Sequence, residues 1–171
     1  MNGRHTRLRI LLFAFVLGMG VGCDHATKQA AMAWLTPGDP ISLLGDALRF
    51  ELVRNPGAFL SLGAQLDPGV RDLLFLGLAP LALLVLVAWF VRTRATALPQ
   101  VFGLALVAGG GLANWIDRMM HAGAVTDFMS QGVGPLRSGI FNVADLWIGF
   151  GVGVLAWSLR APPGKPGPAT P

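Results

Sequence analysis

Polar residues able to do chemistry are concentrated between Asn114 and Asp145: Asn114, Asp117, Arg118, Asp127, Asn142 and Asp145. Asn114, Asp117 and Arg118 follow an i, i+3, i+4 spacing, so one helix face presents all three. Asn142 and Asp145 repeat the i, i+3 step, and Asp127 lies between the two groups in Val125-Thr-Asp-Phe128. They stand at the ends of apolar runs of membrane length, where ionisable groups are costly and point to a functional site with a partner. The chemistry on offer is that of paired carboxylates. Two carboxylates in a low-dielectric site do not both ionise readily, so they share a proton. One can take a proton from water while the other polarises a carbonyl and then protonates a leaving nitrogen, which is hydrolysis. Asp127 and Asp145 are the expected catalytic pair, and the spacing leaves open which is base and which is acid.

Each residue also has a plainer reading. Asp117 and Arg118 read as an interfacial ion pair capping a span. Asp24 and Lys28, four apart, read as a structural pair on one helix face. Asp127 alone would be a loop aspartate, and Asp145 an interhelical hydrogen-bond partner of Asn114 or Arg118.

The elements that must position these residues are membrane spans. Of 171 residues, 53% are hydrophobic and only 13% charged, and the mean hydropathy is +0.59. An ordinary soluble domain is less apolar and more charged. Ile10–Cys23 is uncharged, and apolar character continues to Leu35 around Asp24, Lys28 and their neighbours, so residues 8–35 read as one helix. Thr36-Pro-Gly-Asp-Pro40 ends it. Leu48, Phe50 and Leu52 alternate with Arg49, Glu51 and Val53, which predicts strands in 41–54 with a turn at Gly45-Asp46. An apolar loop built around Gly57 and Gly63 follows. Leu73–Val91 and Leu98–Ile116 are each nineteen uncharged residues, enough to cross about 30 Å of hydrocarbon. Pro80 predicts a kink in the first, and glycines in the second allow close helix approach. Residues 117–140 form a polar, Gly-rich excursion, and Ile140–Leu159 is interrupted only by Asn142 and Asp145. The expected fold is an all-α membrane protein with spans at about 8–35, 72–91, 98–117 and 140–160. A small sheet lies on the periplasmic side between the first and second. Residues 1–160 form one domain, and the Pro/Gly-rich residues 161–171 a disordered cytoplasmic tail.

Charge sets the expected orientation. Arg4, Arg7, Arg9, Arg92, Arg94, Arg160 and Lys165 flank apolar runs with no acidic neighbour, and all nine acidic residues lie in 24–72 and 117–145. By the positive-inside rule both termini are cytoplasmic and the site faces outward. The net charge of +4 is therefore a topology signal and not a nucleic-acid surface. Trp34, Trp89, Trp115 and Trp157 fall near span ends, as an aromatic belt would. Cys23 is the one cysteine, which excludes an internal disulfide and any multi-cysteine metal site. The run ending Gly20-Val-Gly-Cys23 imitates a lipoprotein cleavage signal, but Gly20 stands where a large aliphatic residue is usual and further spans follow. A small apolar residue in a helix is the expected role of Cys23. His25 and His121 are isolated, and neither a zinc-type His-Glu-x-x-His nor a P-loop is present. The alternatives to a hydrolase are a small transporter or channel with an Asp/Arg pathway, and a non-catalytic assembly protein. The absence of an internal repeat weighs against the transporter.

Five blocks, in order, resemble the lipoprotein signal peptidases (signal peptidase II), bacterial membrane aspartic peptidases. They are Asp24-His-Ala-Thr-Lys28, Asn55-Pro-Gly-Ala-Phe-Leu-Ser61, Gly110–Arg118, Gly123 with Val125, Asp127 and Phe128, and Phe141-Asn-Val-Ala-Asp145. The resemblance implies that Asp127 and Asp145 are the catalytic dyad. It implies that Asn55, Gly57, Asn114, Arg118 and Asn142 bind substrate or orient the dyad, with Asp24, Lys28 and Asp117 as structural polar residues. It further implies a diacylglyceryl-modified prolipoprotein substrate cut just before the lipidated cysteine, in the bacterial inner membrane and in contact with its lipid. No metal or cofactor is implied, and globomycin-type cyclic peptides are expected inhibitors. Ala113 departs from the family, which usually has Gly before Asn114, and residues 129–139 match no family block.

Overall fold

The computed structural model describes residues 3–58, 62–92 and 97–160. Four long helices dominate: α1 (Gly3–Trp34), α2 (Pro68–Arg92), α3 (Leu98–Met120) and α4 (Val143–Arg160). α1, α2 and α4 are long and apolar enough to cross a membrane. α3 carries Gly109–Gly111 and the polar turn Asn114–Arg118 in place of aliphatic side chains. It is the central helix, packed against α1, α2 and α4. Phe13, Val16, Phe90, Val101, Leu104, Ala105, Leu106 and Ala108 form the core between them, with the Phe13 and Phe90 rings stacked 4.5 Å apart. The outer faces are apolar too: Leu11, Phe15, Leu84, Val91, Phe150 and Trp157 are all exposed. A helix bundle with such a surface matches hydrocarbon, not water.

Small residues set how closely the helices approach. A Cβ at Gly110 would stand 2.5 Å from the Ala144 carbonyl oxygen of α4, and one at Gly151 would stand 2.7 Å from that of Gly103. Gly110→Ala must therefore push α4 away at the point where it carries Asp145. Overpacking of this kind costs about 1–3 kcal/mol. The expected result is a lower thermal midpoint in detergent together with reduced activity, whereas Gly149→Ala, with open space around it, leaves both unchanged.

α2 answers the kink expected at Pro80 with a π-helical stretch over Leu73–Leu78. Proline has no N–H to offer the carbonyl four residues earlier, which is that of Leu76. The Trp115 indole Nε1–H donates to that carbonyl at 3.3 Å. Trp115 thus ties α3 to α2, a role different from the belt residue expected, while Trp34, Trp89 and Trp157 are exposed.

The strands are β1 (Ile41–Leu43), β2 (Leu48–Asn55), β3 (Val125–Val133) and β4 (Leu136–Arg137). They form one antiparallel sheet in the order β1-β2-β3-β4. The sheet is therefore not confined to the segment between the first two long helices, because half of its strands come from between α3 and α4. Residues 125–137 were expected only as a Gly-rich excursion, but the open edge of β2 supplies β3 with hydrogen-bond partners that its composition does not advertise, and β3 in turn pairs with β4. Asp46, in the turn between β1 and β2, ties β1, β2 and β4 together. Its carboxylate accepts from the Ser42 hydroxyl at 2.6 Å, from Arg49 at 2.8 Å and from Arg137 at 2.7 Å. The Ser42 hydroxyl, then Arg49, hold its pKa at about 2. Four boundaries shift from those expected: α1 starts at Gly3, α2 starts at Pro68, capped by the Asp67 side chain, α3 runs on to Met120, and α4 starts at Val143. The tail at 161–171, Phe59–Ser61 and the 93–96 stretch with Arg94 lie outside the described residues.

Candidate active site

α4 begins with a reciprocal cap. The Asn142 side-chain oxygen accepts from the Asp145 backbone N–H at 3.1 Å, and the Asp145 carboxylate accepts from the Asn142 backbone N–H at 3.2 Å. This is the capping-box arrangement, built here from Asn and Asp. It fixes Asp145 in the first turn, where the helix dipole favours a carboxylate. It also leaves the Asn142 amide N–H groups free to point elsewhere. Nδ2 donates to Asp127 Oδ1 at 2.6 Å and to Asn114 Oδ1 at 3.1 Å. Asn142 is fully buried, and its one side chain touches both aspartates' hydrogen-bond systems.

β3 brings Asp127 to this point. Asp127 lies opposite Val53 on β2, with Asn55 paired to Val125, so Asn55 is its diagonal neighbour on the same sheet face. Asn55 Nδ2 donates to Asp127 Oδ2 at 2.8 Å and to the Ala58 carbonyl at 3.1 Å, while its Oδ1 accepts from Gly57 N–H at 2.8 Å. The residue that holds one aspartate thus also folds the 55–58 turn. Arg118 clasps the same turn by donating from Nη2 to the Gly57 carbonyl, and its guanidinium lies 4.9 Å from the Phe75 ring centroid. Asn114, from α3, donates from Nδ2 to Asp145 Oδ1 at 3.0 Å.

Behind the pair lies a second buried cluster. Lys28 Nζ reaches Asp24 Oδ2 at 2.7 Å, Asp117 Oδ2 at 3.2 Å and Asn114 Oδ1 at 3.0 Å. Asp117 also accepts from the Thr126 backbone N–H at 2.6 Å and meets His121 Nδ1 at 2.7 Å. The expected Asp24–Lys28 pair is present, at 1% exposure for each partner. The expected Asp117–Arg118 pair is corrected: Asp117 turns to Lys28 and His121, and Arg118 to the Gly57 carbonyl and Phe75. A buried ammonium is a closer match for a buried carboxylate than a guanidinium that the 55–58 turn can use. The structure brings Asn55, Gly57, Asn114, Arg118, Asp127, Asn142 and Asp145 into one site, with Asp24, Lys28 and Asp117 directly behind it. Sequence reasoning passed over Thr126 and Phe75 and set His121 aside as isolated. The i, i+4 rule that finds Asp24–Lys28 would also have found Asp117–His121, whereas nothing local marks Phe75.

Burial is what most strongly pushes the pKa of Asp127 up, to about 7. The neighbouring charge of Asp145 adds to this, against the opposing hydrogen bonds from Asn55 and Asn142. A carboxyl that keeps its proton to neutrality can act as an acid, and a carboxylate beside it as a base. Among the described residues no cluster of three or more His, Cys, Asp or Glu side chains has the arrangement to hold a metal ion.

The family model described as Signal peptidase (SPase) II matches residues 16–160. A lipoprotein signal peptidase of Rhodococcus jostii is 37% identical over 145 residues, covering 82% of this chain and 68% of that protein. The one from Mycobacterium tuberculosis is 36% identical, covering 81% and 65%. This chain thus spans about two thirds of the length of those relatives. A lipoprotein signal peptidase of an Azoarcus species is 37% identical over 170 residues, covering 95% and 89%. Among solved structures, a bacterial membrane enzyme superposes with a TM-score of 0.72 at 26% identity, covering 91% of this chain and 94% of that one.

Proposed function

This chain belongs to the signal peptidase II family, and we propose that it is a membrane aspartic endopeptidase whose dyad is Asp127 and Asp145. The observation that carries the reading is Asn142, whose single side chain bonds to Asp127 and to the backbone of Asp145 in a buried site. The substrate is a prolipoprotein that already bears a diacylglyceryl group on cysteine, and the cut falls just before that cysteine. With one proton on the pair, the ionised carboxylate takes a proton from water as the water oxygen attacks the scissile carbonyl. The protonated partner donates to the carbonyl oxygen, giving a tetrahedral intermediate. Collapse of that intermediate breaks the C–N bond as a proton passes to the leaving nitrogen. Asn55, Asn114, Asn142 and Arg118 hold the carboxylates and the 55–58 turn in place for this, and the turn and sheet cover the site from bulk water. No metal or organic cofactor enters the scheme.

Residues 1–160 act as one domain of four spans, α3 being the protein-enclosed one, in the bacterial inner membrane. Both termini are cytoplasmic, and the sheet and dyad lie at the outer surface. The lipid anchor of the substrate rests in the bilayer beside the helices, and globomycin-type cyclic peptides occupy the same site. The transporter reading is not favoured, since among the described residues Asn55, Asn114, Asp127, Asn142 and Asp145 are spent on hydrogen bonds to one another.

The proton on the dyad makes a test. The profile of kcat/KM reports the free enzyme, so it is expected to fall on the alkaline side as the last shared proton leaves, near the Asp127 value of about 7. The titration belongs to the pair and not to one residue. Initial rates on a lipidated precursor across pH in detergent check this. A profile flat from pH 5 to 9 would sink the shared-proton scheme.

A further inference from the structure

Lys28 is nearly inaccessible, at 1% exposure, and the dyad scheme gives it nothing to do. Its geometry is unusually informative. One partner, Asp24, uses its second oxygen to accept from the Ala144 backbone N–H at 2.8 Å. The other, Asp117, accepts from the Thr126 backbone N–H at 2.6 Å. Ala144 immediately precedes Asp145, and Thr126 immediately precedes Asp127. The third partner, Asn114, presents Oδ1 to Lys28 and therefore turns Nδ2 toward Asp145. A neutral carboxamide could otherwise face either way, and a cation at Oδ1 fixes which end carries the N–H groups.

We propose that Lys28 is a positioning residue of the reaction, joining the backbone at both aspartates through Asp24 and Asp117 and setting the orientation of Asn114 toward Asp145. The proposal rests on the dyad reading above. α1 thereby ties β3 and α4 together through Lys28, Asp24 and Asp117. An ammonium suits the task because its three N–H bonds diverge and can meet three acceptors at once, Asp24 on α1 and Asn114 and Asp117 on α3. The charged groups around it are Asp24 on α1, Asp117, Arg118 and His121 on α3, Asp127 on β3 and Asp145 on α4. Lys28 is one of the cations acting on Asp127, with Arg118, so its loss makes the last dyad proton harder to remove.

The test compares wild type, Lys28→Met and the double variant Lys28→Met/Asp24→Asn, which removes one charge of each sign and keeps an acceptor for Ala144 N–H. The controls are Asp127→Asn and Asp145→Asn. Each is purified in detergent, its folded fraction is measured, and kcat is followed against pH on a diacylglyceryl-modified precursor. Displacing reacting groups by about 1 Å costs about a hundredfold. We expect inactive controls, a loss of that size in both Lys28 variants per folded molecule, and both limbs of the Lys28→Met pH profile moved to higher pH, with a smaller shift in the double variant, where loss of the Asp24 charge opposes it. If Lys28→Met does not fold, the double variant decides. Lys28 variants whose rate falls only with their folded fraction, on an unmoved pH profile, would show a purely structural lysine and overturn the proposal. Active controls would overturn the dyad reading itself, and this proposal with it.

Discussion

Asp127→Asn and Asp145→Asn are each expected to lower kcat on a lipidated precursor by about 10²–10⁴-fold, the range that general acid–base groups supply. The two losses should not add, because a dyad that cannot share its proton is already disabled. Asn matches Asp in size but cannot accept or release the proton. Each change also sets one carboxamide N–H group against existing donors, Asn55 and Asn142 at position 127, and Asn114 and the Asn142 backbone at position 145. The expected stability cost is therefore limited to about one lost hydrogen bond, about 1 kcal/mol. Helical circular dichroism and the thermal midpoint in detergent separate this from unfolding. A folded variant that keeps more than a tenth of the wild-type kcat would remove that aspartate from the mechanism.

The second large effect is expected at Asn142. Replacement by Ala removes the helix cap, worth about 0.5–2 kcal/mol, and strips Asp127 and Asn114 of a buried donor. Among the described residues Asp127 then keeps Asn55 as its side-chain donor, so the balance of the pair shifts towards its protonated form. The sign follows from the direction already present: burial raises the Asp127 pKa and the Asn142 hydrogen bond lowers it. Without that bond the alkaline limb of the activity profile moves up in pH while kcat falls by about a hundredfold. Asn142→Ser restores the cap, Ser being a good N-cap residue, but its shorter side chain does not reach Asp127. Stability should recover in that variant while activity does not. Recovery of both would mean that Asn142 serves only as a helix cap.

The contrast between Asn142 and Lys28 shows what the sequence makes legible. Asn142 and Asp145 are three residues apart, and helix geometry alone puts them together, so their cooperation could be read from spacing. Asp24 and Lys28 are legible for the same reason. The reach of Lys28 to Asn114 spans 86 residues, and no local rule predicts it, because only the packing of α1 against α3 creates it. Helix lengths were legible because the hydrocarbon thickness sets a minimum apolar run. Strands β3 and β4 were not, because β3 takes its hydrogen bonds from β2 across the sheet and β4 takes its own from β3, and Gly132 and Gly134 mask the strand pattern. The misread Asp117–Arg118 pair has the same origin. Adjacency in sequence suggested a partner, while a buried lysine on another helix offered a better one.

The most direct test is a single-turnover reaction of the purified protein with a diacylglyceryl-modified prolipoprotein, with the new N-terminus read by mass spectrometry. The same reaction is run on the unlipidated precursor and with the two dyad variants. The account predicts that the wild type releases a product beginning with the lipidated cysteine, that the unlipidated precursor is cut far more slowly, and that neither variant forms product. Cleavage elsewhere, equal rates on both precursors, or product from either folded variant would contradict it.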